Sequence, residues 1–566
     1  MSNLANLNDA LIAVQDPRTS AENLAVIAQL HANLRKLVAV HPNAYPGLLD
    51  WLDRLGDPDL SLIVASRRVA TTQSSAHAQI SPSPEWSVAS SPAYVQLAHP
   101  QGRRRHGTSL IRKHRTIAVI IPVLVVVVAL VITSLVFMRP APAFEPWVKT
   151  YGPALFNGVV VTPNGNIVAV GAVGGSSSAD GDFSEGSGTA AELKMTPDGT
   201  LPDFHSFGGT NGSEIGGCPP EFFAVTATPD NGVIAVGGAT CSTEDDFAAH
   251  GGGDAVVAKL DPHGNMTWGK TFGGSGPDVF SAVTITQDGS IVAAGCTNSA
   301  DGDFPGNGDQ STVLIKLTPD GELIWSKVLN GADYSYFHAT IGLPDGSIIA
   351  VGDVGTPGGD FLTGNSSDKG GTSATCFECG TIVKFNNEGT VMWARNLSDH
   401  GDFSALALAQ DGNVVVAGST NASTGEFRMS HGGQDASIAE IDPDGNVVWA
   451  KAYGGSGGEY FNSLTIAHDG GIVAVGATDS NDGDFPSRHG KNDAVVAGFD
   501  SGGNLQWAKT YGGTDDDSLN SVAIAQDGDI VAAGDTSSPD GDFPLTRGTH
   551  DAVLMRLNAD GTLDKE

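Results

Sequence analysis

The sequence predicts a multidomain chain with a small all-α N-terminal domain, one transmembrane helix and an all-β seven-bladed β-propeller. Three observations lead to this fold class. Apolar residues recur at helical spacing near the N-terminus, an uncharged apolar run follows them, and strand and turn signals then repeat seven times. The corresponding boundaries are a helical domain over 1–68, a linker over 69–116, a span over 117–138 and a propeller over 139–566.

The N-terminal segment has the pattern of short helices. Apolar residues follow helical spacing from Leu24 to Leu37, until Pro42 ends the run. The stretch HPNAYPGLLDWL, within residues 19–58, resembles the variant leucine-rich repeat domain of bacterial proteins. The resemblance implies a small unit of stacked helices. Some members of that family carry an iron–sulfur cluster, but no cysteine precedes Cys218, so no cluster is expected here.

Residues 117–138 are predicted to cross a membrane as a helix. They form 22 consecutive residues without a charge. At about 1.5 Å per residue such a helix reaches roughly 33 Å, which is enough to cross the hydrocarbon core of a bilayer. The preceding segment 69–102 is rich in Ser, Ala, Pro and Gln, a composition typical of a flexible linker.

The charges on either side of the span predict its orientation. Residues 1–116 contain 12 Lys+Arg and 8 Asp+Glu, a net charge of +4, whereas the chain from Arg139 onwards contains 18 and 56, a net charge of −38. The positive-inside rule therefore places the N-terminus in the cytoplasm and the C-terminal part outside the plasma membrane. Because residues 1–10 lack a basic start, we expect an uncleaved signal-anchor. The acidic excess argues against nucleic acid as a partner.

The region after the span is a sevenfold repeat. Phe204 and six tryptophans recur at intervals of 56 to 68 residues, the tryptophans being Trp147, Trp268, Trp325, Trp393, Trp449 and Trp507. Each unit holds three further strand signals and Asp-Gly or Asn-Gly turns, which supply the positive φ angles of tight hairpins. Four antiparallel strands in seven units predict a seven-bladed β-propeller. We expect Trp147 to Gly152 to complete the blade formed by residues 514–563, which closes the ring.

The repeat also has a recognisable consensus. The segments WGKTFGGSG (268–276) and WAKAYGGSG (449–457) carry the W-x-K-T-(F/Y)-G-G-S-G hallmark, and the region resembles the bacterial beta-propeller repeat family. The resemblance covers most of the chain after the span. It implies the propeller fold and no established activity.

The long loops between the second and third strands form the predicted binding face. Each loop holds an acid-Phe pair, and in four loops the pair is part of a DGDF motif. We expect the Phe to pack between blades and the aspartates to cap backbone amides. The competing interpretation is a calcium site, because two carboxylates one residue apart supply hard oxygen ligands. Its candidate ligands are Asp301, Asp303, Asp482, Asp484, Asp540 and Asp542.

The five cysteines all follow the span. Cys218 lies just before the first strand of a blade and Cys241 just after its second strand, so we expect a disulfide between them in an oxidising compartment. Cys376 and Cys379 could either bridge each other or bind a metal. Cys296 is left over and is expected to be buried at a strand end.

The sequence favours a binding protein over an enzyme. Turns such as DPHGNMTW (261–268) resemble the Asp-box of propeller sialidases, but that chemistry needs an arginine cluster, and the six arginines after the span are scattered. No catalytic residue, and no cofactor other than calcium, is expected. The predicted function is a single-pass cell-surface protein whose propeller binds an extracellular protein, glycan or cell-wall ligand. The alternatives are a transmembrane sensor, whose helical domain has a cytoplasmic protein partner, and an extracellular glycan or peptide hydrolase.

Overall fold

We describe the fold from a computed structural model of the chain. The predicted span 117–138, the linker and most of the predicted helical domain lie outside the described residues, although Leu24, Ile27 and Val38 are helical and buried. Within the described ranges, no helix is both long enough and apolar enough to cross a membrane. The described residues are 24, 27, 38, 144–173, 189–200, 202–207, 218–240, 247, 251–304, 306, 308–331, 334–355, 359–362, 379–397, 401–422, 425–427, 431–485, 488–543 and 550–563.

The chain divides into two compact units, Met1–Arg115 and Thr116–Glu566. The described residues of the second unit form a seven-bladed β-propeller, with 28 strands in seven four-stranded antiparallel sheets. Blades 1 to 3 consist of β2 (Ala154–Val161), β3 (Ile167–Val173), β4 (Thr189–Met195) and β5 (Asp203–Phe207); β6 (Cys218–Ala227), β7 (Val233–Thr240), β8 (Asp254–Leu260) and β9 (Met266–Phe272); and β10 (Asp278–Ile285), β11 (Ile291–Thr297), β12 (Ser311–Leu317) and β13 (Leu323–Leu329).

Blades 4 to 7 follow the same plan, and short 3-10 turns lie at Gly359–Leu362 and Gly425–Phe427. Their strands are β14 (Ser335–Gly342), β15 (Ile348–Val354), β16 (Cys379–Phe385) and β17 (Val391–Asn396); β18 (Gly401–Leu408), β19 (Val414–Thr420), β20 (Asp435–Ile441) and β21 (Val447–Tyr453); β22 (Glu459–Ile466), β23 (Ile472–Thr478), β24 (Asp493–Phe499) and β25 (Leu505–Tyr511); and β26 (Asp517–Ile524), β27 (Ile530–Thr536) and β28 (Asp551–Leu557), completed by β1 (Trp147–Tyr151).

The first strand of the propeller closes the ring. β1 pairs antiparallel with β28, so that Trp147 lies opposite Arg556 and Tyr151 lies opposite Ala552. The expectation that the first Trp strand completes the last blade is confirmed. The first strands of successive blades contact one another, and β26 also contacts β2. These seven strands therefore surround the propeller axis, and the core lies between blades, where for example Val475 and Val496 pack with Val553.

Each blade has two tight turns at the same end of its strands. In blade 3 the amide of Gly289 donates to the carbonyl of Thr286 (2.9 Å), and the amide of Gly321 donates to the carbonyl of Thr318 (2.9 Å). Gly289 and Gly321 have φ angles of 80° and 81°, a region that glycine adopts without strain. We call this end of the propeller the turn end, and the opposite end, which holds the second-to-third-strand loops, the loop end.

The repeated tryptophan packs on the turn of the next blade. Trp393 of blade 4 donates from Nε1 to the carbonyl of Pro443 in blade 5 (3.2 Å), and a methyl carbon added to Gly445 would lie 3.1 Å from the Trp393 ring. Blade 1 departs from this pattern. Its ladder pairs Lys194 with Asp203 as blade 2 pairs Lys259 with Trp268. Asp203 therefore occupies the tryptophan position of blade 1, and the prediction that Phe204 occupies it is wrong by one residue. The prediction chose the nearest aromatic residue, whereas the pairing of the strands determines the register.

Candidate functional site at the propeller axis

A β-bulge interrupts the innermost strand of every blade near the loop end. In blade 3 the register shifts between Phe280 and Ala282, which leaves one extra residue on the inner strand. The residue before the bulge is buried, as Phe280 and Phe337 are, and so fixes the bulge against the core. The seven bulged residues, which we call the axial ring, are Asn157, Phe223, Ser281, His338, Ser404, Asn462 and Asn520.

The axial ring joins neighbouring blades through hydrogen bonds to backbone carbonyls. Each bond runs from a bulged side chain to the carbonyl of the residue before the bulge in the next blade. Amides and hydroxyls thus take the place of apolar packing at the axis, and they fix the inner strands relative to each other. The bonds are Asn462 Nδ2 to Leu519 O (3.0 Å), Asn520 Nδ2 to Phe156 O (3.1 Å), Asn157 Nδ2 to Phe222 O (2.9 Å) and Ser281 Oγ to Phe337 O.

Half-buried carboxylates flank the axial ring. Glu221 Oε1 accepts from Asn157 Nδ2 (2.9 Å), and Asp535 Oδ1 accepts from Asn520 Nδ2 (3.1 Å). Burial raises the pKa of Asp535, against the opposing effects of that hydrogen bond and of His550. The first and second strands of the seven blades, all of them described, contain no Lys or Arg. The axis is therefore acidic and lacks the cations that would neutralise it.

Blade 4 places an aromatic pair in this site. The rings of Tyr336 and His338 stack with centroids 4.7 Å apart and an interplanar angle of 30°, and His338 Nε2 lies 2.6 Å from Asp353 Oδ1. The His338 and Asp353 side chains are 31% and 16% exposed, so both are accessible to a ligand. Burial, with Cys296 nearby, raises the pKa of Tyr336. The arrangement supplies aromatic rings, an imidazole and a carboxylate acceptor.

Cys296 lies beside this pair, buried at the end of β11 as the sequence predicts, and its thiol is free. Burial raises its pKa to about 12, so the thiol stays protonated near neutral pH and is a poor nucleophile. The other cysteine expectations are only partly visible. Cys218 pairs with Thr240, but Cys241 lies outside the described residues, so their disulfide stays a prediction. Cys379 is disulfide-bonded, and Cys376 also lies outside the described residues.

The three DGDF loops that the structure describes use their carboxylates to accept hydrogen bonds from backbone amides. Asp301 Oδ1 accepts from the amide of Ser275 (2.7 Å), and Asp303 Oδ2 accepts from the amide of Gly273 (3.2 Å). The two amides belong to the segment that links the preceding blade to this one. The same pair of bonds recurs as Ser456 N to Asp482 (2.8 Å) and Gly454 N to Asp484 (3.1 Å), and as Thr514 N to Asp540 (2.9 Å) and Gly512 N to Asp542 (3.2 Å).

In the six blades where the loop phenylalanine is described, its side chain packs in the core. Phe304 is fully buried, and its ring meets that of Phe280 edge-on with centroids 6.0 Å apart. Phe485 and Phe461 repeat this contact at 6.0 Å. These contacts favour a structural role for the loops. Across the described ranges, no three or more His, Cys, Asp or Glu side chains are grouped as metal ligands, and calcium at the six aspartates stays a prediction.

Sequence reasoning missed both the axial ring and a set of buried acids at the start of the inner strands. Asp278 is 4% exposed, and its Oδ2 accepts from the Gly274 amide (3.0 Å) and from Ser299 Oγ (2.8 Å). Burial raises its pKa, and the same holds for Asp517 in blade 7. The available signal was an acid two residues before the repeated Phe, as in DVF and EYF, followed by a polar residue. The polar residue faces the propeller axis only because of the bulge, and no local sequence pattern predicts that bulge.

Three solved structures illustrate the likeness of the fold. The chain has 10% identity and a TM-score of 0.38 to the Neurospora crassa Pan2 WD40 domain, covering 71% of this chain and 89% of that one. The extracellular domain of a putative one component system from B. thetaiotaomicron has 10% identity and a TM-score of 0.37, with 74% of this chain and 43% of that one covered. The β-propeller domain of the Trilobed protease from Pyrococcus furiosus has 8% identity and a TM-score of 0.37, with 74% of this chain and 99% of that one covered.

Comparison with characterised sequences finds a relative and two domain families. The chain is 23% identical over 378 residues to the Regulatory protein FlaEY of Caulobacter vibrioides, across 59% of this chain and only 39% of that protein's length. Residues 8–68 match the Leucine Rich Repeat Variant domain, in agreement with the resemblance found in the sequence. Residues 286–323 and 525–566 match the beta-propeller called Domain of unknown function (DUF5122).

Proposed function

We propose that this chain is a non-catalytic, single-pass cell-surface protein whose propeller binds an extracellular ligand at the axial ring. The observation that carries the proposal is the half-buried set of polar and aromatic side chains at one end of a closed, rigid ring. Such a surface needs no rearrangement to accept a ligand, because hydrogen bonds between blades already fix it.

The chemistry of the axis narrows the ligand class. The first and second strands of the seven blades together carry seven Asp or Glu and no Lys or Arg, so an anionic ligand would be repelled. Carboxylate, amide and hydroxyl groups beside a stacked Tyr336–His338 pair suit a polyhydroxylated ligand, because sugars combine many donors with apolar ring faces. A glycan or cell-wall component is therefore favoured over a purely apolar ligand.

A binding screen of the full chain tests this function. Purified protein is presented to cell-wall glycans and surface proteins, and each hit is measured again with two variants. His338→Ala removes the stacked imidazole, and Asp402→Asn changes the carboxylate whose Oδ2 accepts from Ser404 Oγ of the axial ring (2.9 Å). We expect both variants to weaken binding at least about tenfold, the loss typical of a central contact. Thr267→Ala, on the exposed outer strand of blade 2, is the matched control and should bind normally. Equal binding by all the variants would place the ligand elsewhere. Turnover of a glycan or peptide by the purified protein would favour the hydrolase instead.

The membrane topology is a separate part of the proposal. The uncharged run 117–138 and the basic residues before it support a cytoplasmic N-terminus and an external propeller. Reporter enzymes active only outside the membrane, fused at either end, distinguish the arrangements. We expect activity from the C-terminal fusion alone, and activity from the N-terminal fusion would reverse the orientation.

A sensor role is the second candidate. It is favoured by the variant leucine-rich repeat match on the predicted cytoplasmic side and by the name of the Caulobacter relative, a regulatory protein. A sensor needs a cytoplasmic partner that binds residues 1–116. Capture of a specific protein by the full chain, but not by a chain that lacks residues 1–68, would support it. Capture of the same proteins by the full chain and by the shortened chain would contradict the sensor role and support extracellular ligand binding only.

A further inference from the structure

A buried cation on the third strand is a repeated feature of the turn end. Lys316 is 3% exposed, and its Nζ lies 2.9 Å from Asp288 Oδ2 in the first turn of the same blade. Lys384 of blade 4 is 5% exposed and lies 3.8 Å from Asp345. Arg556 of blade 7 forms the equivalent ion pair with Asp527. Each cation occupies the ladder position opposite the Trp of the outer strand.

Blades 5 and 6 lack this cation. Opposite Trp449 stands Glu440, and opposite Trp507 stands Gly498. The turn aspartate remains in both blades, as Asp411 and as Asp469. Two consecutive blades therefore keep the anionic half of the repeated ion pair without its cationic half.

Two cavities lie where the cations are missing. One, of about 450 Å³, is lined by Asp469, Gly498 and Trp507 among others, and the second, of about 270 Å³, is lined by Asp411, Glu440 and Asp469 among others. Asp469 borders both. Among the described residues that line them there is no Lys, Arg or His.

The walls of the larger cavity show why it persists. A carbon added at Gly498 would lie 2.2 Å from Cε2 of Trp507, so the indole covers the position where another side chain would begin. The two turn aspartates differ in how far they are used. Both oxygens of Asp411 accept from Asn413, one from its backbone amide (3.0 Å) and one from its Nδ2 (2.9 Å). Asp469 Oδ1 accepts from the Gly471 amide (2.9 Å), whereas in blade 3 the second oxygen of the equivalent Asp288 holds the lysine.

Neighbouring charged groups do not fill the site. Lys451 Nζ contacts the carbonyl of Gly502 (2.7 Å) and Asn504 Oδ1 (2.6 Å). Asp500 is likewise committed, because Asn504 donates to both of its carboxylate oxygens (3.0 and 2.8 Å). Glu440 is 6% exposed and accepts from Asn413 Nδ2 (2.9 Å). The larger cavity thus combines the Trp507 wall with Asp469, and the smaller cavity combines Asp411 and Asp469 with the buried Glu440. Neither has a counter-charge among its described lining residues.

We propose that this pair of cavities binds the alkylammonium group of a ligand, the same chemistry that a lysine side chain supplies internally in blades 3 and 4. An ammonium on a short alkyl stem matches both the apolar Trp507 wall and the Asp469 carboxylate. The inference goes beyond the proposed function, because the site lies at the turn end and the axial ring lies near the loop end. A negative result for this site would therefore not contradict the proposed function of the axial ring, and the reverse also holds.

The test uses n-butylammonium, which reproduces the lysine stem and head, on the purified full chain. We expect saturable binding by titration calorimetry, with Asp469→Asn weakening it at least about tenfold because a charge-assisted contact is lost. Asp288→Asn is the matched control, since that aspartate already has its lysine, and it should bind as the wild type does. No saturable binding, equal binding of uncharged n-butanol, or an equal effect of both variants would overturn the proposal.

A second variant works by filling the site. Glu440→Lys restores the residue type that blades 3 and 4 carry, and its ammonium is expected to pair with Asp411 and Asp469 and to lower n-butylammonium affinity at least about tenfold. Unchanged affinity in this folded variant would contradict the assignment. Comparison with Nα-acetyl-lysine methylamide identifies the source of the ligand. Tighter binding than n-butylammonium indicates a lysyl side chain of a partner protein, and weaker binding indicates a free amine.

Discussion

Trp147, the first residue of the propeller's first strand, lies directly opposite Arg556 in its last strand. The Arg556 side chain is 1% exposed and contacts both Asp527 and Asp529 of blade 7. Its Nη1 donates to the carbonyl of Pro197 in blade 1 (2.7 Å), and its guanidinium lies 4.8 Å from the centroid of the Phe144 ring. One side chain therefore connects the segment just before β1, the last blade and the first blade at the point where the ring closes.

Replacing this arginine should destabilise the propeller strongly. Arg556→Met keeps much of the side-chain volume but leaves Asp527 and Asp529, which are 9% and 14% exposed, without their cation. We expect a loss of about 3–5 kcal/mol in the free energy of unfolding, measured by urea denaturation, because an uncompensated buried charge remains. Lys270→Met is the control. Its partner Glu322 is 74% exposed, so the loss should stay below about 1 kcal/mol, and equal losses would refute the closing role.

The closing strand itself is open to a direct test. A full chain that lacks residues 147–151 leaves the edge of β28 unpaired, and an exposed strand edge favours association between chains. We expect this deletion to aggregate in size-exclusion chromatography, while Trp147→Ala, which keeps the backbone ladder, stays soluble. A soluble, monomeric deletion variant would show that the ring does not depend on β1.

The parts of the fold that were predictable are those encoded by local repetition. The seven Asp-Gly or Asn-Gly turns between first and second strands predicted the blade count, and the unpaired Trp147 strand indicated the closure. Six of these turns place glycine at positive φ, and the seventh places Asn231 there. The axial ring was not predictable, because a bulge after Phe280 depends on packing between blades and has no turn-like signal. The third-strand cation was also hidden, since Lys316 looks like an ordinary surface lysine until the fold buries it at 3% exposure. Departures such as Gly498 gain meaning only against that structural repeat.

The DGDF loops allow capping and calcium to be separated. Asp303→Ala removes the acceptor of the Gly273 amide, and we expect about 1 kcal/mol less unfolding free energy in chelator. If the loops also bind calcium, the ion should raise the melting temperature of the wild type more than that of the variant, because it would bind only the folded state. Identical melting temperatures in calcium and in chelator would exclude calcium binding and leave the capping of backbone amides as the role of these loops.

Blade 1 contains a buried acid where other blades are apolar. Glu192 is 1% exposed and lies opposite His205, whereas the equivalent positions in blades 3 and 7 are Leu314 and Leu554. Its Oε2 lies 3.5 Å from Nδ1 of His205. Burial raises the pKa of Glu192 from 4.5 to about 7, with Asp203 and Asp261 adding to the rise and Lys194 opposing it.

The sign of the resulting pH dependence follows from that shift. The folded state binds the Glu192 proton more tightly than the unfolded state, so its stabilising contribution is complete below pH 4.5 and is lost as the pH rises through about 7. The shift corresponds to about 3 kcal/mol between these limits. We therefore expect Glu192→Leu to gain about that much unfolding free energy over the wild type at pH 8 relative to pH 4.5. Glu322→Leu, at an exposed site, should show no such gain, and parallel pH profiles for wild type and Glu192→Leu would mean that this carboxyl does not titrate in the folded blade.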